Sequence, residues 1–262
     1  MRTIQVNGAD LHVALSGPEQ GPAVLFSNSL GTDLRVWDEL IPHLPQGLRL
    51  VRYDKRGHGL SEETPGPYSI ELLADDAAAL IEALGLRNVV FVGLSIGGLI
   101  GQSLAARRPE LLAGLVISNS AAKIGDAPMW DARIEAIRQN GLGSIAAPTM
   151  ERWFSPAFRA EGRDAPWQRM LARQPQGGYI ACCEAIATAD LTDAARGLGL
   201  PVQVIAGGHD GSTPPDLVRA TADLISGARF DVIDRAAHIP CVETPAAFAA
   251  ILPRFLKEIG HV

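Results

Sequence analysis

The chain has 262 residues, 47% of them apolar and 20% charged, with 23 basic against 29 acidic side chains and a formal net charge of −6. That composition suits a soluble globular protein able to bury a sizeable core, and excludes a fibrous, disordered or membrane-embedded chain. The acidic balance leaves no whole-chain electrostatic footprint for nucleic acid or an anionic membrane.

The first residues alternate like a strand and lack an apolar h-region, and no apolar run reaches transmembrane length, so no secretory signal or membrane span is expected. The cysteines are Cys182, Cys183 and Cys241. An odd number without zinc-type spacing argues against a disulfide framework or a metal knuckle, so a reducing, cytoplasmic setting and no metal are expected.

In chain order, two alternating runs, 3–6 and 11–15, flank Asn7-Gly8, a pair that tolerates positive φ and predicts a β-hairpin. Short continuous apolar runs follow at 23–26, 48–53, 89–92, 115–117, 202–206 and 230–233. Runs apolar on both faces suit strands buried between two layers of helices. Helical periodicity covers 70–84, 96–107, 214–225 and 245–259. The alternation predicts an α/β fold, a mostly parallel sheet of about eight strands covered on both faces, with an antiparallel hairpin at its N-terminal edge.

The rhythm breaks between residues 122 and 190. Helical fragments there are cut by Pro128, Pro148, Pro156, Pro166 and Pro175, and three of the four tryptophans fall within it. Its eight basic and eight acidic residues balance, so the remainder carries the whole of the −6. A long non-sheet insertion of this kind reads as a helical lid (residues 122–190) over a core formed by 1–121 and 191–262.

The sharpest local signal is Gly93-Leu94-Ser95-Ile96-Gly97, between the strand at 89–92 and the helix at 96–107. The bare pentapeptide is common in a glycine-rich chain. With a strand before and a helix after, it is the nucleophile elbow of α/β-hydrolases, a tight strained turn that lifts Ser95 Oγ above the sheet edge. A serine hydroxyl needs an oriented base. Of the six histidines, His12 lies in the hairpin, His43 in an early helix, His58 in a glycine-rich turn where packing is the expected role, and His261 near an end expected to fray. His238 instead follows the strand at 230–233 by a short loop, at the strands' carboxyl ends where open α/β sheets place catalytic groups. Asp210, directly after the strand at 202–206, is the expected carboxylate that holds the imidazole tautomer. Asp216 reads as helix-start capping and Asp234 as a loop acid, while His209 is a loop residue beside the site. The order Ser95, Asp210, His238 is the order this fold uses. The oxyanion donors are expected to be the backbone N–H of Ile96 and, from the loop 27–31, that of Leu30, each worth about 3 kcal/mol. The frequent form of that loop begins His-Gly, whereas this chain has Asn28-Ser29.

Assembled, these signatures make the chain similar to α/β-hydrolases from end to end. More narrowly it resembles the 3-oxoadipate enol-lactonases of bacterial aromatic catabolism (the β-ketoadipate pathway). The likeness rests on residues 26–33, on Arg52-Tyr-Asp-Lys-Arg-Gly-His-Gly-Leu-Ser61, on Gly93-Leu-Ser-Ile-Gly-Gly98 and on Asn119-Ser-Ala-Ala-Lys-Ile-Gly125. The resemblance implies hydrolysis of a carboxymethyl butenolide to 3-oxoadipate through a Ser95 acyl-enzyme, without metal or organic cofactor, with a small anionic lactone as substrate and neither nucleic acid nor membrane as partner. A carboxylate-bearing substrate should meet a cation, and the charge-balanced lid is where one can sit. Arg133 is the first choice for that cation and Trp153 for the apolar wall. Rival readings on the same triad are a carboxylesterase, a perhydrolase or a carbon–carbon bond hydrolase. A non-catalytic ligand receptor on this fold is the rival from another class.

Overall fold

The computed structural model describes residues 2–262; Met1, the first residue of the expected core segment, lies outside the described residues. Among the described residues the strands are β1 (Thr3–Val6), β2 (Ala9–Ser16), β3 (Ala23–Ser27), β4 (Arg49–Tyr53), β5 (Val89–Leu94), β6 (Leu112–Ser118), β7 (Val202–Gly207) and β8 (Arg229–Ile233). They form a single sheet in the order β1-β2-β4-β3-β5-β6-β7-β8. Pairing is antiparallel for β1–β2 and β2–β4 and parallel for every other neighbour. The hairpin turn takes positive φ at both central residues, 46° at Asn7 and 74° at Gly8, as a two-residue connection with the sheet's twist requires.

The helices are α1 (Ile70–Ala83), α2 (Ile96–Arg107), α3 (Ala127–Asn140), α4 (Ala146–Trp153), α5 (Pro156–Ala160), α6 (Ala165–Ala172), α7 (Gln176–Thr188), α8 (Thr192–Arg196), α9 (Pro215–Leu224), α10 (Pro240–Glu243) and α11 (Pro245–Glu258). Successive residues of β6 show that both faces are covered. A Cβ on Gly114 would meet Phe255 and Ile259 at the C-terminal end of the chain, whereas Leu115 lies against Gly101 of α2. Neighbouring strand residues point to opposite faces, so α11 and α2 pack on opposite sides of the sheet. Strands β3, β5 and β7 are buried along their whole length, which is why they read as mostly apolar runs, with the polar Gln203 of β7 buried and hydrogen-bonded to Asp231.

Two expectations change. Strand β8 is an edge strand with Val232 41% exposed, not a strand buried on both faces. The C-terminus is tied down, because His261 contacts the Ala23 carbonyl through Nε2 at 3.1 Å and its backbone N–H donates to Leu256. The three cysteines are buried and unpaired. No helix among the described residues is long and apolar enough to cross a membrane.

The segment after β4 is locked by two carboxylates. Asp54 accepts from the Leu34 and Leu60 N–H groups at 2.6 and 2.9 Å, and pairs with His12 Nδ1 at 2.8 Å. Gly59 is glycine because a Cβ there would lie 2.2 Å from Asp54 Oδ2 at a φ of +57°. Behind it Arg56 grips Asp76 of α1 bidentately, Nε–Oδ2 2.9 Å and Nη2–Oδ1 2.6 Å, with the Asp76 side chain 1% exposed. Removing one partner of a buried pair leaves the other charge uncompensated. Asp76→Ala is therefore expected to destabilise the fold by about 3–5 kcal/mol, read as a lowered urea midpoint at unchanged m-value.

Candidate active site

Chemistry is concentrated where β3, β5, β6, β7 and β8 end. Ser95 follows β5 directly and starts α2 with φ 58° and ψ −118°, a conformation that L side chains rarely adopt. Both flanking glycines are obligatory. A Cβ on Gly93 would lie 2.1 Å from the Gly97 carbonyl oxygen, and one on Gly97 would lie 2.2 Å from that of Ser27. The elbow is pinned on each side: Ser95 N–H donates to Ser118 O at 2.9 Å, and Ser120 Oγ donates to Ser95 O at 2.6 Å.

The loops after β7 and β8 pack backbone against backbone. A Cβ on Gly207 would lie 1.9 Å from the Ala237 carbonyl oxygen, so only glycine admits this contact. It brings Asp210 to His238 with Oδ2 2.8 Å from Nδ1. Asp210 Oδ1 also accepts the N–H groups of Ser212 (2.7 Å) and Thr213 (3.0 Å). Its Oδ2 accepts Thr213 Oγ1 (2.7 Å) and Asn119 Nδ2 (2.9 Å). Burial alone would raise the carboxyl's pKa; the charge and hydrogen bond of His238, with those of Asn119 and the Thr213 N–H, outweigh it and hold the pKa below the ordinary value. In the neutral ring, an ionised Asp210 that accepts from Nδ1–H leaves Nε2 as the unprotonated nitrogen.

Ser95 and His238 line one cavity of about 220 Å³, at the small end for an organic ligand. Its walls include Ser29 and Leu30 from the loop after β3, Trp153 of α4, and Arg133 and Arg152. Leu30 and Ile96 flank Ser95 from two elements, and among the described residues neither backbone N–H has a protein acceptor. Asn28, where the commoner loop has histidine, donates through Nδ2 to the Thr32 carbonyl and so closes the loop on itself. Of the residues singled out from sequence, Ser95, His238, Leu30, Arg133 and Trp153 line this cavity, Asp210 joins it through its hydrogen bond to His238, and Ile96 adjoins Ser95. His209 is exposed and does not line the cavity.

Sequence reasoning passed over several residues of the cavity. Arg152 directly precedes Trp153, but only docking of α4 distinguishes it from other lid arginines. The Trp153 carbonyl accepts His238 N–H at 3.0 Å and the Arg152 carbonyl accepts Gly211 N–H at 3.4 Å, fixing the end of α4 to the loops after β7 and β8. Arg133 donates to the buried Tyr179 hydroxyl from Nε (3.0 Å) and Nη2 (2.6 Å). Among the described residues neither guanidinium has a carboxylate partner, and no acidic residue lines the cavity. Arg152 shows the cost: burial, then the neighbouring Arg133, lower its pKa.

The alpha/beta hydrolase fold family matches residues 22–245, and the chain belongs to it. Within that family the chain is 37% identical to 3-oxoadipate enol-lactonase 2 of Acinetobacter baylyi over 97% of both chains. It is 35% identical to 3-oxoadipate enol-lactonase 1 of the same organism, over 96% of this chain and 95% of the relative. The crystal structure of the enol-lactonase from Burkholderia xenovorans superposes with a TM-score of 0.94 at 37% identity, covering 98% of this chain and all of that one.

Proposed function

We propose that the chain hydrolyses 3-oxoadipate enol-lactone to 3-oxoadipate, with Ser95 as nucleophile, His238 as base and acid, and Asp210 orienting His238. The observation that carries the reading is the pair of uncompensated guanidinium groups, Arg133 and Arg152, in the cavity that holds Ser95 and His238. A cavity with two cations and no acid in its wall favours an anionic ligand. The full-length similarity to enol-lactonases supplies the substrate class.

His238 Nε2 takes the Ser95 proton as Oγ attacks the lactone carbonyl, and the N–H groups of Leu30 and Ile96 hold the oxyanion. Collapse breaks the acyl–oxygen bond. The leaving oxygen departs as an enolate, which takes up the proton held on His238 Nε2 and becomes the ketone, leaving His238 neutral. Water, deprotonated by His238, then attacks the Ser95 ester; collapse returns the proton to Oγ and releases the second carboxylate. These steps use only groups of this chain and call for no metal or organic cofactor. Helices α3, α4 and α7 act as the lid, with Trp153 as its apolar wall. A small water-soluble dianionic product and three unpaired cysteines suit a cytoplasmic enzyme.

The test is turnover of 3-oxoadipate enol-lactone beside neutral p-nitrophenyl esters. A kcat/KM for the lactone at least tenfold above that for the esters is expected; equal or better esters would reject the lactonase reading. Arg133→Ala and Arg152→Ala should each raise KM for the anionic lactone about 10- to 100-fold, the worth of a charge-assisted hydrogen bond, while changing KM for a neutral ester less than about threefold. Equal effects on both substrates would remove the arginines from carboxylate binding.

A further inference from the structure

Against the loop after β3 lies a buried ammonium group that does not line the cavity and that the mechanism above does not use. Lys55, in the turn after β4, is 1% exposed. Its Nζ donates to the Ser29 carbonyl at 2.7 Å and to the Asn28 carbonyl at 3.4 Å. Among the described residues it forms no ion pair. A buried cation held only by carbonyl dipoles is an expensive arrangement, so what it does to those carbonyls matters.

The Ser29 carbonyl and the Leu30 N–H belong to one trans peptide unit and point in opposite directions. Drawing the Ser29 oxygen toward Lys55 therefore turns the Leu30 N–H toward the cavity. The same oxygen accepts Thr32 Oγ1 at 3.0 Å and Thr32 N–H at 3.3 Å, so three donors converge on it. Electron density pulled onto that oxygen makes the N–H at the other end of the peptide a stronger donor. The next peptide is held the opposite way: Gly31 N–H donates at 3.0 Å to Nε2 of the buried His58, away from the oxyanion. Burial, then the Lys55 charge, keeps the His58 pKa well below its ordinary value, so the ring stays neutral and can accept.

We infer that Lys55 is a positioning residue for the oxyanion hole: its ammonium group orients and polarises the Ser29–Leu30 peptide so that the Leu30 N–H meets the developing negative charge. The inference rests on the serine-hydrolase reading of Ser95. Lys55 itself touches neither the substrate nor the cavity. Its titration supplies a readout that a purely structural lysine would lack. Burial lowers its pKa to about 8, while the carboxylates of Asp54 and Asp33 oppose the fall, and His58 faces it as a neutral ring. The Cys182 thiol is itself pushed up to about 12 by burial, so it stays uncharged through the range of interest.

The experiment measures kcat and KM on p-nitrophenyl acetate from pH 6 to pH 9.5 for the wild type, Lys55→Met and Ser95→Ala. The wild type should lose kcat as pH rises through about 8, since the protonated amine is the active form. Lys55→Met, which keeps the length and loses the charge, should lower kcat about 10- to 100-fold at pH 7, with KM within about threefold and no alkaline fall in kcat. A kcat in Lys55→Met within about threefold of wild type would overturn the inference. So would a lowered kcat that keeps the wild-type alkaline limb. If Lys55→Met does not fold, a wild-type kcat that is flat from pH 7 to 9.5 overturns it alone. Wild-type hydrolysis that survives Ser95→Ala would instead overturn the serine-hydrolase reading, so the two failures are distinguishable.

Discussion

Ser95→Ala is expected to cut hydrolysis of the lactone and of p-nitrophenyl esters by about 10⁴- to 10⁶-fold, leaving only what the oxyanion donors and binding supply. A fluorophosphonate probe should label the wild type at one residue and the variant not at all. Equal labelling of both would sink Ser95 as the nucleophile. The same position carries a stability prediction from backbone geometry alone. A residue held at φ 58°, ψ −118° is strained while it bears a Cβ, so Ser95→Ala should unfold at nearly the wild-type urea midpoint. Ser95→Gly, which removes the Cβ, should gain about 1 kcal/mol while being equally inactive. Activity and stability would then move in opposite directions at one residue, as expected where the fold is strained to present a nucleophile.

Much of this arrangement is legible in the sequence because the turns demand particular residues. Gly93, Gly97 and Gly207 sit where a Cβ would collide with backbone oxygens, so the motifs around Ser95 and Asp210 are written into the chain by sterics. Buried strands are legible for a similar reason, since β3 and β5 admit only apolar or small side chains between two helix layers and β7 departs from this at Gln203 alone. Strand β8 misleads because its apolar residues lie at a sheet edge, where Arg219 covers Phe230 from α9, its guanidinium carbon 3.8 Å from the ring centroid. Arg152 and Lys55 are illegible for a different reason. Nothing local distinguishes either from a solvated cation. Arg152 faces the cavity because α4 is hydrogen-bonded to the loops after β7 and β8. Lys55 is buried because the loop after β3 folds over it with two carbonyl oxygens aimed inward. Both placements depend on contacts between segments far apart in sequence, which periodicity and motif spacing do not record.

Asp210→Asn is the second large effect expected, a fall in kcat of about 10⁴-fold, and the hydrogen bonds around Asp210 say why. An asparagine has one acceptor oxygen and one donor amide where the carboxylate has two acceptors. The Ser212 and Thr213 N–H groups at the Oδ1 position belong to the backbone and cannot turn away. The amide oxygen must serve them, so the NH₂ takes the Oδ2 position, facing Asn119 Nδ2, Thr213 Oγ1 and His238 Nδ1. The threonine hydroxyl can rotate. The histidine can face an NH₂ only by accepting at Nδ1, which moves its proton to Nε2, and a protonated Nε2 cannot take the proton of Ser95. The fold also loses stability, in a pH-dependent way. Because the native Asp210 pKa lies below its unfolded value, its ionised form stabilises the fold above the ordinary carboxylate range, about pH 4. That contribution is lost as pH falls through the native pKa. The difference in urea midpoint between wild type and Asp210→Asn should therefore be full at pH 7 and shrink steadily below about pH 4. A gap that stays constant from pH 7 to pH 3 would mean that the ionised carboxylate contributes nothing to holding the loops after β7 and β8 together.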